Sequence, residues 1–375
     1  MMTQPRSSHY LKLLLMLSIT SAIAVGCSKD EKNDDATCSD ASADTEVQAG
    51  ESAQAGAQSQ AGTPTPAGET VCPESEACEL CPEPVQCPGD STGETRTLDL
   101  SQDNDNTYAW VKTRASLDPE EEVIFYWVGY VYAQQPKDQA DYPRGNFTFE
   151  YPLFRFEGFN VARFVPDGAG GYVMLSREVS VYQDPVSNRI IDCWRNYLLP
   201  DQPNVSVLHV MNDPVNWGQG LSEFHNLGDT VNFYSDLVLA YRSPLADFDR
   251  YAPYSAADVY QSSELFNYYV KRADLENESI KSAPVQISWS RVGQYLPWMQ
   301  MGDRPGNLVY QVRGYKLMGG LEELPEPLLN WTRDVAGEQF LHAPDRIPTD
   351  NKPNATSWRV FKEALDSGSY TPLCD

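Results

Sequence analysis

The run Val-Ile-Phe-Tyr-Trp-Val-Gly-Tyr-Val-Tyr-Ala, from Val123 to Ala133, consists almost wholly of β-branched and aromatic residues. Such residues favour extended strands. Further strand-like runs lie at 146–164, 172–182, 189–195, 205–211, 231–242, 285–291 and 308–318, and clusters of Pro, Gly, Asp and Asn separate several of them. The turn at 184–188 is short enough to join its flanking runs as a hairpin. We therefore predict a mainly β domain in which about 8–10 antiparallel strands close into a barrel or fold into a sandwich.

Helical patterning is weaker and lies mostly near the C-terminus. Residues 256–273 are predicted to form one helix, with Leu265, Tyr268, Tyr269 and Arg272 on one side. Thr356 or Ser357 is a suitable cap for a short helix that runs to Leu365. The Pro-rich stretch 321–353 is expected to form helical pieces and loops that pack over a barrel end or a sheet face. These helices are peripheral to the predicted sheet.

The charge of the chain is divided unevenly along its length. The 375 residues include 53 acidic, 28 basic and only 4 His side chains, so the net charge is −25. By segment, residues 1–26 carry +2, residues 27–95 carry −13, and residues 96–375 carry −14. An acidic chain of this kind is a poor partner for nucleic acid, which requires clustered Lys and Arg. It is equally unsuited to electrostatic adsorption on an anionic membrane.

Residues 1–26 have the features of an export signal. A basic start, with Arg6 and Lys12, precedes an apolar run that is too short to span a bilayer comfortably. The run ends in Ala-Val-Gly before Cys27, which resembles a bacterial lipobox and implies lipidation of Cys27. The alternative is an ordinary signal peptide with an incidental Cys. An Asp directly after the lipidated Cys commonly retains such proteins at the inner membrane, but here Ser28 follows Cys27. We therefore expect a cell-envelope protein held at the outer membrane.

Residues 27–95 form a predicted tether. The segment from Ser28 to Thr95 contains 15 acidic residues, 2 Lys and no aromatic residue. It therefore lacks the apolar groups that would offset the entropy of ordering. Four cysteines fall within sixteen residues of it: Cys72, Cys78, Cys81 and Cys87. A small disulfide-bonded knot is the preferred interpretation in an oxidising compartment, with zinc or partly free thiols as alternatives. The single domain is then 96–375.

Several runs of this domain resemble one known family. They are Leu-Phe-Arg-Phe-Glu-Gly-Phe-Asn-Val-Ala-Arg-Phe at 153–164, Ser-Arg-Glu-Val-Ser-Val-Tyr-Gln-Asp-Pro at 176–185, Val-Met-Asn-Asp-Pro-Val-Asn at 210–216, and Leu-Pro-Trp-Met-Gln-Met-Gly-Asp-Arg-Pro-Gly at 296–306. Together they resemble the bacterial "domain of unknown function 1838" family over most of 96–320. The resemblance implies no activity and no catalytic residue, although members of the family often look exported.

Strand alternation places cations among apolar residues. Arg177 lies in one row with Val173, Leu175, Val179 and Val181, and Arg291 follows Val285, Ile287 and Trp289. Lys316 follows Tyr310 and Val312, and His209 shares a face with Val205 and Val207. An inward cation must meet a carboxylate or a ligand anion, because an unpaired buried charge is too costly. The candidate acidic partners are Glu157, Glu178, Asp213 and Asp236. The alternative is that Arg291 and Lys316, near run ends, extend to solvent.

These patterns yield candidate sites without a recognisable enzyme motif. Arg177, Arg291, Trp298 and Glu157 are candidate ligand-binding residues, and His209 with Asp213 is a weak catalytic candidate. The segment 295–302 forms either a lid over an apolar pocket or a packed chain reversal. The sequence has no phosphate-binding loop, dinucleotide motif or zinc-peptidase motif, so we expect no cofactor and no metal. Cys193 and Cys374 are predicted to pair and to fix the C-terminus.

Three functions remain open at this point. The first is the binding of a small apolar or amphipathic ligand, which the inward cations allow to be an anion, inside the β domain. The second is an envelope hydrolase or isomerase that uses His209, Asp213 and an Arg. The third is a surface scaffold or adhesion protein, for which the long acidic tether is the argument.

Overall fold

A computed structural model describes residues 95–135, 151–167, 171–217, 222–255, 257–345 and 354–375. These residues belong to one compact unit of the chain, Pro82–Asp375. The eleven strands are β1 Val123–Gln134, β2 Phe154–Pro166, β3 Tyr172–Gln183, β4 Cys193–Arg195, β5 Asn204–Ser206, β6 Val210–Asn212, β7 Glu223–Leu227, β8 Thr230–Arg242, β9 Val259–Lys271, β10 Val285–Gly293 and β11 Asn307–Leu317. The α-helices are α1 Asp103–Arg114, α2 Phe248–Tyr251, α3 Arg272–Glu276, α4 Glu326–Trp331 and α5 Ser357–Ser367.

Nine of the strands form one antiparallel sheet. Its order is β6-β3-β2-β1-β11-β10-β9-β8-β7, and β4 pairs with β5 in a separate two-stranded sheet. Within the described part of the chain, no pairing joins the edge strands β6 and β7, so the sheet is open rather than a closed barrel. The mainly β, antiparallel architecture predicted from the sequence is confirmed, and its arrangement is sandwich-like.

The sheet is strongly curved. Strands three positions apart in a flat sheet would be separated by about 14 Å. Nevertheless, the hydroxyl groups of Tyr182 on β3 and Tyr310 on β11 lie 3.2 Å apart. The rings of Phe156 on β2 and Trp289 on β10 also meet, with centroids 6.1 Å apart. One face of the sheet is therefore concave, and its side chains converge.

A second layer covers part of the convex face. Val179 and Val181 on β3 and Phe159 on β2 pack there against Leu324 and Leu328, in and around α4. Short helical turns at Pro297–Met299, Gly320–Glu323, Thr332–Ala336 and Glu338–Leu341 accompany the α-helices. The expectation that the stretch beginning at residue 321 packs over a sheet face holds as far as residue 345, where the description of this stretch stops.

Two helices lie at opposite ends of the concave face. Trp110 of α1 packs on Phe233 and Tyr268, with centroid distances of 5.7 and 5.3 Å. Trp358 of α5 packs on Tyr260 at 4.7 Å. The predicted cap of α5 is present, because the Thr356 side chain accepts a hydrogen bond from the Arg359 backbone N–H. The helix α1 was not anticipated from the sequence.

The predicted helix at 256–273 is wrong, because most of this segment is the strand β9. Alternate residues of β9, among them Tyr260, Glu264 and Tyr268, face the concave side and pair in register with β8 and β10. The aromatic residues that looked like one side of a helix therefore lie on both faces of a strand. Tertiary pairing decides the outcome here over a weak helical pattern.

Two finer strand predictions also fail. The run 205–211 is not one strand, since β5 belongs to the small sheet and β6 to the large one. The turn at 184–188 reverses the chain, with the Asp184 N–H donating to the Arg189 carbonyl oxygen at 2.9 Å, but it does not join two full strands. A single bridge joins Gln183 to Ile190 before the chain leaves the sheet.

A disulfide joins Cys193, on β4, to Cys374, with Cα atoms 5.9 Å apart, so the chain end is linked to the small sheet. In the part of the chain that the structure describes, no helix is long and apolar enough to cross a membrane.

A cavity on the concave face as the candidate site

The concave face encloses a cavity of about 650 Å³. Eleven of its lining side chains are aromatic, among them Phe156, Tyr182, Tyr260, Phe266, Trp289 and Tyr310. The alternation of β9 and β10 explains this composition, since every second residue of a strand points to the same face. Phe266 and Trp289 stack at 6.0 Å, and Trp289 meets Tyr310 at 5.6 Å. They form a continuous aromatic wall.

The rim of the cavity joins two loop segments. Asn216 and Asn354 exchange two hydrogen bonds of 2.8 and 2.7 Å between side-chain and backbone atoms. Trp217 bridges the two margins of the sheet, because it pairs with Met174 on β3 and its ring lies 5.7 Å from Phe266. The lining residues Asn216, Trp217 and Leu237 are half-buried.

A buried ion pair lies in the wall of the cavity. The Arg291 Nε and Glu264 Oε1 atoms are 3.5 Å apart, and both side chains are largely buried. Arg291 also donates to the Tyr260 hydroxyl at 3.0 Å, and the Trp289 indole N–H donates to Glu264 at 3.3 Å. The inward position of Arg291 expected from the sequence is thus observed, and it does not extend to solvent. Its acidic partner, Glu264, was missed because residues 256–273 were taken for a helix.

A second carboxyl group, that of Glu178, faces the same cavity from β3. The residue is half-buried, and desolvation at the cavity wall raises the pKa of its carboxyl to about 7. The nearby Glu264 also raises this pKa, whereas Arg291 and a 3.3 Å hydrogen bond from the Asn212 amide oppose the shift. Glu178 is therefore largely protonated below neutral pH and can donate a hydrogen bond.

Other polar atoms in the lining lack partners. Among the described residues, nothing bonds the indole N–H of Trp127 or the side-chain carbonyl oxygens of Asn160 and Asn212. Buried polar atoms of this kind usually have partners. A further cation, Arg114 at the end of α1, also lines the cavity and is only 4% exposed. Sequence inspection missed it because α1 buries polar residues and shows no apolar periodicity.

The structure does not bring the other predicted ligand-binding residues to this cavity. Arg177 lies on the convex face, with Nε 3.0 Å from Asp213, and donates to the carbonyl oxygens of Gln339 and His342. Its apolar row is buried, as expected, but the helical layer buries it. Glu157 pairs with Arg155 at 2.8 Å on that same face. Trp298 packs in the core, and the surrounding segment 295–302 forms a packed chain reversal.

His209 and Asp213 do not share a site in this structure. The His209 Nδ1 atom accepts a hydrogen bond from the Tyr182 backbone N–H at 3.1 Å. Its Nε2 atom lies 3.7 Å from Asp192, and the proximity of His209 lowers the pKa of that Asp. Asp213 instead pairs with Arg177, and neither His209 nor Asp213 lines the cavity. Each of the two residues thus contacts other groups of the fold, and the structure does not bring them together as a catalytic pair.

Lys316 is buried beside the end of α1 and does not line the cavity. The Lys316 Nζ atom is buried and donates to the carbonyl oxygens of Lys112 and Ala115 and to the Ser282 hydroxyl. Burial lowers the pKa of Lys316, but three acceptors around one nitrogen require the ammonium form. In the described ranges, no group of His, Cys, Asp or Glu side chains is arranged to hold a metal. Cys27, Cys72, Cys78, Cys81 and Cys87 lie outside the described residues.

The raised pKa of Glu178 predicts that the stability of the protein depends on pH. A carboxyl that titrates near pH 7 when folded and near pH 4.5 when unfolded favours the folded state only at low pH. The stability of the wild type relative to Glu178→Gln should therefore fall as the pH rises from about 4.5 through 7, by up to about 3 kcal/mol. Urea unfolding of both proteins between pH 4.5 and 8.5 measures this difference. Glu322→Gln, at an exposed residue, is the control, and a pH-independent difference would contradict the assignment.

Comparison with known proteins gives a family but no activity. A family model described as "Protein of unknown function (DUF1838)" matches residues 120–365. This range contains all nine strands of the large sheet and most of α5, but not α1. No curated protein matches the chain.

Proposed function

Since the chain belongs to the DUF1838 family of proteins of unknown function, its activity must be argued from its own geometry, and we propose that it binds a small amphipathic molecule in the cavity of the curved sheet. The observation that carries the proposal is the largely aromatic, concave cavity of about 650 Å³. Sites for small molecules are concave, mostly apolar and about 300–1,000 Å³ in volume. The cavity meets each of these criteria.

The distribution of polar groups supports an amphipathic rather than a purely apolar ligand. The Phe266–Trp289–Tyr310 wall offers flat apolar surface for the body of the molecule. The carboxyl of Glu178 lies across from the Arg291–Glu264 pair, close enough for all three to interact electrostatically. A few convergent polar groups within an apolar cavity orient a ligand. A purely structural core would fill this volume with side chains instead.

The cavity can be tested by filling it. Leu237 on β8 lines the cavity, whereas its neighbour Val238 points to the opposite face and is 74% exposed. Leu237→Trp should weaken the binding of the neutral fluorescent probe N-phenyl-1-naphthylamine by about tenfold, because the added ring removes volume that the probe needs. Val238→Trp is the matched control and should bind like the wild type.

The measurement is probe fluorescence, with energy transfer from the cavity tryptophans as a check on location. Trp127 and Trp289 line the cavity, so a probe bound there should quench their emission. If the probe does not bind, or if Leu237→Trp and Val238→Trp bind it equally, the cavity is not a ligand site.

A second candidate function is proton-transfer catalysis in the same cavity. Glu178 has a raised pKa, while Glu264 is ion-paired with Arg291, and both carboxyl groups line the cavity. Two carboxyl groups whose surroundings separate their protonation states fit the roles of general acid and general base. A hydrolase or isomerase would then use Glu178 and Glu264, rather than His209 and Asp213.

Compounds that co-purify with the protein distinguish catalysis from binding. If Glu178 acts as the acid, Glu178→Gln should retain a substrate, and mass spectrometry should find a mass different from that recovered with the wild type. The control Glu322→Gln should carry the wild-type compound. Recovery of one and the same compound from all three proteins would leave binding alone as the function.

We also propose that lipidation of Cys27 holds the domain at the outer membrane of the cell envelope. The support is the apolar run followed by Ala-Val-Gly-Cys and the acidic segment after it. Several acyl chains anchor a protein stably where one chain would not. Cys27→Ser should move the protein from the membrane to the soluble fraction of a bacterial host. An unchanged membrane fraction would contradict lipidation at this residue.

A further inference from the structure

Arg114 is a buried cation without an anionic partner. Its side chain is among the most enclosed of the charged groups, since the residue is 4% exposed. Nevertheless, none of the described residues forms an ion pair or a side-chain hydrogen bond with it. Its guanidinium lies over the rings of Phe125 and Tyr268, with centroid distances of 4.8 and 5.1 Å. Ring contacts of this kind stabilise a cation by less than the cost of burying its charge unpaired.

The carboxylates nearest to the cavity are already engaged. Glu264 pairs with Arg291, and Glu178 accepts a hydrogen bond from Asn212 and is largely protonated below neutral pH. Glu121 keeps its charge and acts on Lys316, and it accepts a hydrogen bond from Ser116, but among the described residues no ion pair joins it to Arg114. None of these groups neutralises Arg114.

The end of α1 does not supply the missing charge either. The carbonyl groups at the C-terminal end of a helix carry partial negative charge. Here these carbonyl groups already bind the ammonium group of Lys316, which donates to the carbonyl oxygens of Lys112 and Ala115. Lys316 lies close enough to both Arg114 and Lys112 to interact with them electrostatically. The positive charge at this end of the cavity is therefore that of several cations.

We propose that Arg114 is the anion-binding residue of the cavity and that the ligand is an organic acid with a flat apolar body. The inference rests on the cavity proposed above as the ligand site. A guanidinium matches a carboxylate in geometry, with two parallel N–H···O bonds. The acid group pairs with Arg114 at the α1 end, and the body lies along the aromatic wall of Phe266 and Trp289.

Two fluorescent probes that differ by one acid group test this assignment. N-phenyl-1-naphthylamine is neutral, and 8-anilinonaphthalene-1-sulfonate has the same ring system with a sulfonate. The wild type should prefer the sulfonate, and Arg114→Gln should reduce that preference by about tenfold or more, while the neutral probe binds as before. Arg114→Lys retains the charge but not the planar guanidinium group. Its preference for the sulfonate probe should lie between those of the wild type and Arg114→Gln.

Arg313 on β11 is exposed on the opposite face, so Arg313→Gln is the matched control for loss of one positive charge. An unchanged preference in Arg114→Gln overturns the assignment of Arg114 while leaving the cavity as a ligand site. Failure of the neutral probe to bind the wild type would instead overturn the proposed function.

If Arg114→Gln binds neither probe, the anion site is tested on the wild-type protein alone. Competition against bound N-phenyl-1-naphthylamine then compares 1-naphthoate with the uncharged 1-naphthalenemethanol. Displacement by the carboxylate at a concentration at least tenfold lower supports the anion site, whereas equal displacement overturns it.

Discussion

The contact between the two halves of the sheet is the constraint on which this molecule depends. Tyr182 and Phe156 on one side meet Tyr310 and Trp289 on the other. A sheet of nine strands that remained nearly flat would expose one of its faces or need a complete second layer. By curving, this sheet buries its concave aromatic residues against one another. The helical layer is then needed over only part of the convex face.

The curvature also determines where the ends must be closed. A curved open sheet leaves its concave face accessible at both ends, and here Trp110 of α1 and Trp358 of α5 pack into these positions. Neither helix fills the middle, where the cavity remains. The cavity is thus a consequence of the distance between the two closures, and its lining combines residues from distant parts of the sequence.

The sequence predicts local structure well where one chain segment decides it. The pattern of β1 and the cap of α5 depend on residues that are neighbours in sequence, and both are confirmed. It fails at β9, where pairing with β8 and β10 decides the conformation. The cavity itself depends on how β3 and β9 approach across the curve, and the alternation of a single strand contains no information on that distance.

Alternation likewise identifies a buried face without revealing what buries it. The row that contains Arg177 is buried, as expected, but helical segments cover it on the convex side. Glu178, one residue further along β3, faces the cavity instead. The candidate site therefore lies on the face of β3 opposite to the one that its apolar residues indicated.

The buried cations of the domain differ in one respect that bears on function. Arg177 meets Asp213, Arg291 meets Glu264, and Lys316 meets the carbonyl oxygens at the end of α1. Each of these charges is compensated by the protein, so each is explained as structure. Arg114, by contrast, meets aromatic rings and no anionic group among the residues that the structure describes. A charge that the fold buries but does not neutralise leaves its compensation to whatever occupies the cavity. For this reason, the residue that the sequence offered no means of finding is the one that most restricts the chemistry of the ligand.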